Sequence, residues 1–470
     1  MDNRLDYLDQ AFFLSLRALN HGPIGQHIWI YGHDVDLDAL RRFNCNLGRG
    51  PMGRLIQRSR IPFGRHSWVA WQGPADIEVS PTVRPRSEIG AWLDEQAQVW
   101  VDPEYGPAWR LAVQPLSEGG AVVTLVISHT VSDGGLALMA MRDASKGVTR
   151  DFGYPAANSR TKSQALLADL RATVRSFPDV VKALVAIPLA AKDISRWQQS
   201  KTKSASTAGT RHGGSKDLGR TVTYHSAVAR VGIEQWDRRA ESLGGTSNSL
   251  FLAVVARLGE SLNMVTTDGM VNFAITISER AEGDTRGNAL NGVTLTVDPT
   301  GVTADLTAVR AGLKSALSAL ADDPNAMAGP MALTPFIPKI VARGVERAGV
   351  KNMAVNCSNL GNLDPAINRP DGTDADFYYV RGRWVRLNCH TNPLALPNGF
   401  LFPVASGRLN GTVFVSVSYV TPDKSFTRQR LSELLDSILT DFGFTAIMGV
   451  TPESGIDPGI DLSPEEIDPA

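Results

Sequence analysis

The sequence predicts a mixed α/β (α+β) chain folded as two lobes, and three observations predict it. First, 470 residues exceed what one core of about 100–200 residues holds. Second, short β-rich runs and amphipathic helical segments are interleaved along the chain. That pattern excludes a sandwich or a bundle and implies mixed sheets flanked by helices. Third, a polar stretch at 199–220, QSKTKSASTAGTRHGGSKDLGR, separates two blocks of comparable size, 1–198 and 221–450. It has no large apolar side chain before Leu218, so it reads as a crossover loop too polar to offset its ordering entropy. The end, 451–470, holds acidic residues and no base, and reads as a disordered acidic tail.

In the first block, 109–114 and 121–128 are β-rich runs joined by PLSEGG, which supplies a proline and two glycines for a hairpin turn. The second run, AVVTLVIS, is apolar at nearly every residue and reads as a strand buried on both faces. Residues 134–145 have helical spacing. Residues 162–198 read as one or two amphipathic helices interrupted at Pro178 and Pro188. In the second block 249–262 reads as helix, 271–277 and 293–297 as strands, 336–349 as helix, 412–420 as a strand and 426–442 as a closing helix. The apolar stretches 177–191 and 331–350 fit ordinary core helices better than covers of a substrate channel.

Composition narrows the function classes. With 43% hydrophobic and 20% charged residues the chain is globular. A formal net charge of −1 argues against nucleic acid as a partner. Cys45, Cys357 and Cys389 are far apart and form no Cys-x-x-Cys pair, so neither a disulfide framework nor a zinc site is expected. No His-Glu-x-x-His, Walker loop or Gly-x-Ser-x-Gly elbow is present, so no metal is expected. The start lacks the basic and apolar runs of a signal peptide, and the longest apolar run, 183–191, is too short to span a bilayer. The expectation is a cytoplasmic protein.

One constellation carries chemistry. The buried strand runs into His129-Thr-Val-Ser-Asp133-Gly134, and a helix starts there. A strand end holds its backbone rigid while releasing a side chain into a cleft. Histidine, with its near-neutral pKa, suits proton removal from an alcohol, amine or thiol. Asp133 follows too closely to be assumed a triad partner; pairing with an arginine elsewhere would pin the loop. Gly134 would let the backbone turn where a Cβ clashes. The bland alternative is a strand-end histidine followed by an aspartate helix cap.

His129-x-x-x-Asp133-Gly134 after a hairpin strand resembles the active-site motif of the condensation-domain-like, CoA-dependent acyltransferase superfamily. That group includes chloramphenicol acetyltransferase, nonribosomal peptide condensation domains, wax ester synthase/diacylglycerol acyltransferases and polyketide-associated acyltransferases. LDYLDQAFF at 5–13 is similar to the opening of the wax ester synthase type, and PAWRLAV at 107–113 resembles the strand before the motif. SNSLFLAVVA at 247–256, ISERAEGDTRGN at 277–288, VNCSNLGNL at 355–363 and the last helix at 425–443 resemble second-lobe segments in the same order. Two departures stand out. Lipid and peptide branches usually carry two adjacent histidines, and here the first is Ser128. The Asp-Phe-Gly-Trp-Gly signature of plant alcohol acyltransferases is not matched; Gly443 of Asp441-Phe-Gly443 reads as a helix C-cap. Residues 33–66 also look unlike the family's usual first helix.

The resemblance implies two chloramphenicol acetyltransferase-like lobes with a tunnel at their interface. It implies His129 as general base, with no acyl-enzyme, moving an acyl group from an acyl-CoA or acyl-carrier-protein thioester to a hydroxyl, or less readily an amine. No bound cofactor is implied; the acceptor would be a small or lipid-like molecule. Asp133 would be structural, paired with Arg280. Ser358 or Asn359 would donate to the oxyanion. His390 is a further candidate for the cleft, and Lys201, Lys203, Arg211, Lys216 and Arg220 for the phosphates of CoA or a carrier, although a loop residue and a solvated loop are the simpler readings. The alternative function is a non-catalytic or repurposed condensation-like scaffold, a binding module or the cradle for another reaction, motivated by Ser128 and by 33–66.

Overall fold

The computed structural model describes residues 3–202, 222–322, 329–343, 354–385 and 399–449. Helix α1 (Tyr7–Leu19), capped by Asp6, leads into β1 (Gly22–Tyr31) and α2 (Leu37–Gly48). Strands β2 (Arg54–Gln57) and β3 (Ser67–Ala70) form a separate ribbon. After β4 (Glu78–Val79) and α3 (Ile89–Gln98) comes the expected hairpin, β5 (Trp109–Pro115) and β6 (Ala121–Ser128), in register Pro115↔Ala121. Every residue of β6 is buried, as its unbroken apolar run requires. The turn needs its glycine: Gly120 has φ +83°, and a Cβ there would lie 2.1 Å from the Tyr31 carbonyl oxygen. Helices α4 (Gly134–Ser145) and α5 (Lys162–Thr202) follow.

The second half contains β7 (Thr223–Gly232), α6 (Ile233–Ser242), α7 (Ser247–Ser261), β8 (Val271–Ser278), β9 (Leu290–Val297) and α8 (Thr307–Asp322). A 3-10 segment (Gly329–Phe336) precedes β10 (Val355–Asn362), β11 (Phe377–Val385), β12 (Phe400–Leu409) and β13 (Thr412–Thr421). Helix α9 (Arg428–Asp441) and β14 (Ile447–Gly449) close it. Gly443, at φ +82°, follows the α9 cap residue Phe442, the C-cap placement read from the sequence.

The strands form a five-stranded sheet, β11-β1-β6-β5-β4, and a seven-stranded mixed sheet, β14-β7-β13-β12-β10-β8-β9. Strand β10 runs parallel to both its neighbours. Each sheet has its own apolar core. Trp29, Trp92 and Trp109 anchor the first, and Trp236, Phe273 and Phe442 the second.

The sheets do not divide the chain where the sequence does. Strand β11, from the second half, pairs antiparallel with β1 along Gly22↔Val385 to Ile30↔Phe377 and forms an edge of the first sheet. An ionic cluster secures it. Asp94 on α3 receives Arg381 at 2.9 Å, Arg428 of α9 at 2.8 Å, and Arg383. Burial favours a protonated Asp94, but the three guanidiniums outweigh it and hold its pKa below the usual value.

Two local expectations are corrected. Helix α5 runs through Pro178 and Pro188 without interruption. Pro178 and Val174, whose carbonyl loses its helical donor at Pro178, are both exposed residues. The 336–349 segment begins as the 3-10 turn of Gly329–Phe336, with Pro335 inside it, and turns α-helical only at 339–343; 344–350 lies outside the described residues. Most of the 199–220 crossover, the tail 451–470, Cys389 and His390 also lie outside them.

Candidate active site

The histidine motif lies between the two sheets. His129 directly follows β6, and its N–H donates to the Pro23 carbonyl of β1 at 3.1 Å. Asp133 is fully buried and performs two tasks that the sequence left as alternatives. Its Oδ1 caps α4 by accepting from the Leu136 N–H at 2.8 Å. Its Oδ2 accepts from Arg280 Nη2 at 2.8 Å and from the Ala289 N–H at 2.7 Å. Its own N–H donates to the Gly287 carbonyl at 2.8 Å. Arg280 completes the joint by donating to the carbonyls of Arg286 at 3.0 Å and Gly287 at 3.1 Å. The carboxylate is thus spent on the loop before β9 and on α4 and is not a triad partner of the imidazole.

Two buried residues that the sequence reading missed hold the same loops. Asp9 of α1 accepts from the Gly287 N–H at 2.9 Å, the Asn288 N–H at 2.7 Å and Asn288 Nδ2 at 3.0 Å. Asn288 Nδ2 also donates to the His129 carbonyl at 3.0 Å. Burial pushes the Asp9 carboxyl up to about 6, against the pull of Arg54 and of these donors. Arg54, the first residue of β2, lies 3.9 Å above the Trp68 ring. It donates to the Val131 carbonyl at 2.9 Å and the Thr285 carbonyl at 2.6 Å. A signal for Asp9 exists: Asp9, Phe13 and Leu16 share one face of α1, and all three are buried. Arg54 has only the weaker cue of alternating with buried Ile56.

His129 opens onto a cavity of about 830 Å³ between the sheets, lined mainly by apolar side chains. From one side come α1, β1, Trp384 of β11 and Gly134; from the other come β8, β9 and Ser358 of β10. Phe12 of α1 stacks on the imidazole with ring centroids 5.1 Å apart. Nδ1 is buried and has no hydrogen-bond partner, so the ring edge available to a cavity occupant carries Nε2. Burial lowers the His129 pKa below 6.5, opposed by the Asp133 charge, the residue's own carbonyl and Asn288.

The remaining predicted positions separate. Ser358 lines the cavity, whereas Asn359 is not among its lining residues: its amide donates to Asn248 of α7, and its Oδ1 accepts from the Gly361 N–H at 2.9 Å. Gly134 lines the cavity without a left-handed backbone; a Cβ there would lie 3.2 Å from Leu360 Cδ2, so side-chain space rather than a backbone turn favours glycine. Ser128 is buried as the last residue of β6, opposite Ile24, and is not a lining residue. Among the described residues no group of three or more histidine, cysteine or acidic side chains is placed to hold a metal.

No family model matches the chain, and no curated protein matches it in sequence. Its fold is that of condensation domains and of a wax ester synthase-type acyltransferase. The first condensation domain of the calcium-dependent antibiotic synthetase, in complex with substrate analogue 2a, aligns with a TM-score of 0.55 at 15% identity, covering 94% of this chain and 96% of that one. The wax ester synthase/diacylglycerol acyltransferase from Marinobacter aquaeolei VT8 aligns at 0.51 with 15% identity, covering 93% and 98%. The condensation domain of the Monacolin K polyketide synthase aligns at 0.50 with 14% identity, covering 94% and 96%. The fold therefore agrees with the superfamily that the motif resembles.

Breaking the Asp133–Arg280 pair strands a buried guanidinium and uncaps α4. Asp133→Ala is expected to lower stability by about 3–5 kcal/mol, read as a shifted urea midpoint. Asp9 gives a pH signature. An acid whose folded pKa is raised keeps its proton more tightly when folded, so its stabilising contribution is complete below pH 3.8 and is lost as pH rises through 6. Wild type should lose stability relative to Asp9→Asn across that window; parallel urea midpoints would show that Asp9 does not titrate there.

Proposed function

We propose that the protein is an acyltransferase that moves an acyl group from a CoA or acyl-carrier-protein thioester to a hydroxyl acceptor. The observation that carries this reading is His129, held at the mouth of a strand in a largely apolar cavity between two condensation-type lobes. With its proton on the buried Nδ1, the ring presents Nε2 to the cavity as a base. Nε2 takes the acceptor hydroxyl proton as the oxygen attacks the thioester carbon. The tetrahedral oxyanion then collapses, the C–S bond breaks, and the departing thiolate recovers the proton from His129. Ser358, on the opposite wall, is the donor in the cavity suited to the oxyanion; Asn359 is engaged elsewhere. The apolar lining suits an acyl chain, with donor and acceptor entering a tunnel between the lobes. An amine acceptor is the less favoured variant.

Ser128 does not itself favour a scaffold role: it is buried as the last residue of β6 and does not line the cavity, whereas His129 does. No acyl-enzyme is invoked, because the cavity offers a base beside the acceptor rather than an activated nucleophile.

His129→Ala should reduce turnover by about 10²–10⁴-fold. Because burial lowers the imidazole pKa, the wild-type acid limb of kcat/KM should have its midpoint below pH 6.5. A mutant as fast as wild type refutes the base assignment. Ala274 on β8 lines the cavity, so Ala274→Trp should depress turnover of long acyl donors more than that of acetyl donors. Rates or thermal shifts over a panel of acyl-CoAs from about two to eighteen carbons test this, and equal losses at every length would place the chain outside the cavity.

A further inference from the structure

Helix α5 is built inside out. Its protein-facing side carries small or polar residues: Ala165, Asp169 and Ala183 are buried. The acids of 162–185 are both turned inward. Asp169 pairs with Arg4 at 2.7 Å and accepts from the Arg60 N–H at 2.7 Å, while Asp179 accepts from the Tyr7 hydroxyl at 2.8 Å. The large apolar side chains lie outside. Leu166, Leu170, Val174, Phe177, Val181 and Leu184 fall on one stripe less than about 100° wide, and Phe177 is 66% exposed. A soluble helix places such a stripe against its core.

Three further observations say what covers it. The exposed charges of 162–185 are all basic: Lys162, Arg171, Arg175 and Lys182 flank the stripe. The segment Gly329–Phe336 packs beside α5 and extends the apolar face through exposed Phe336, Ile337 and Ile340, with basic Lys339 among them. That segment also contributes Met331 to the cavity wall, so the face adjoins the site. No described helix is long and apolar enough to cross a membrane.

We infer that α5 and the 329–341 segment dock the protein on an anionic phospholipid surface. The apolar stripe enters the acyl–headgroup boundary, and the basic rim meets the lipid phosphates. A second copy of the chain fits less well, because among its described residues the face offers no exposed acid to receive those bases. Docking goes beyond the acyl-transfer reading and stands without it.

Flotation of the full-length protein with phosphatidylcholine vesicles, with and without phosphatidylglycerol, tests this. Wild type is expected to float with the anionic vesicles and to be released by salt. Leu170→Asp/Phe177→Asp should abolish flotation. Arg171→Glu/Arg175→Glu/Lys182→Glu should weaken it by at least about 100-fold, since losing each base costs roughly fivefold and each new acid adds repulsion. All five positions are exposed, so unchanged melting temperatures verify folding, and the charge variant tests the docking should the apolar one misfold. Three results overturn the inference: wild type that stays soluble with anionic vesicles, equal flotation with neutral ones, or a wild-type dimer that Leu170→Asp/Phe177→Asp converts to monomer without any vesicle binding.

Discussion

The contact on which the site depends is the buried pair of Asp133 and Arg280. Removing two charges from water costs several kcal/mol per ion, so such a pair depends on how many of its remaining lone pairs and protons are satisfied. Here Asp133 accepts three hydrogen bonds and Arg280 donates to backbone carbonyls at 3.0–3.1 Å, with its buried Nε alone lacking a partner. An apolar contact of equal area would hold the two loops together without fixing their register. Directional donors fix it, and the Asp133 N–H bond to Gly287 and the Arg54 bonds to Val131 and Thr285 repeat the tie along the same loops. His129 inherits its position from this joint.

Helix α1 adds a second constraint from three directions. Its Phe12 stacks on the imidazole, and Asp9 fixes Asn288, which holds the His129 carbonyl. Leu8, Ala11, Ser15 and Leu19 line the cavity on the face where Phe12 also lies. One helix therefore places the candidate base, bounds the space before it, and binds the loop from the second sheet. Its sequence shows why: the acid is set into an otherwise apolar face, where only specific N–H partners justify it.

The legible parts of the sequence were those with local periodicity. The 121–128 run gave a fully buried strand and 134–145 a helix, both with the expected bounds, because neighbouring residues alone decide them. The pairing of Asp133 with Arg280 came from the family resemblance, not from spacing, since 147 residues separate them. Asp9 was legible only as an acid on the apolar face of α1, and Arg54 hardly at all, because the partners of both lie on loops far along the chain, 278 residues away in the case of Asp9. Strand β11 was missed because its membership in the first sheet is a long-range exchange, and its Arg381 and Arg383 find their countercharge on α3. The 177–185 part of the 177–191 stretch is not core: its hydrophobicity was legible but the direction of its apolar stripe was not, and only the inward placement of Asp169 and Ala165 reveals it.

The separation of polar and apolar matter explains why a buried histidine is useful here. Around His129 the fixed dipoles are backbone groups already committed by the joint, so a neutral imidazole meets a cavity lined mainly by apolar side chains. Burial lowers its pKa, which keeps the base unprotonated at neutral pH and weakens it as an acceptor of protons. The same low-polarity surroundings strengthen any single donor aimed at a developing oxyanion, because less water screens it. For the acyl transfer proposed above, a weaker base beside a stronger electrostatic donor would be a workable division of effort, because a leaving thiolate is stable and the acceptor proton is the harder part to move. Ser358 and His129 stand on walls supplied by different sheets, so the division holds only while the Asp133 joint keeps those sheets in register.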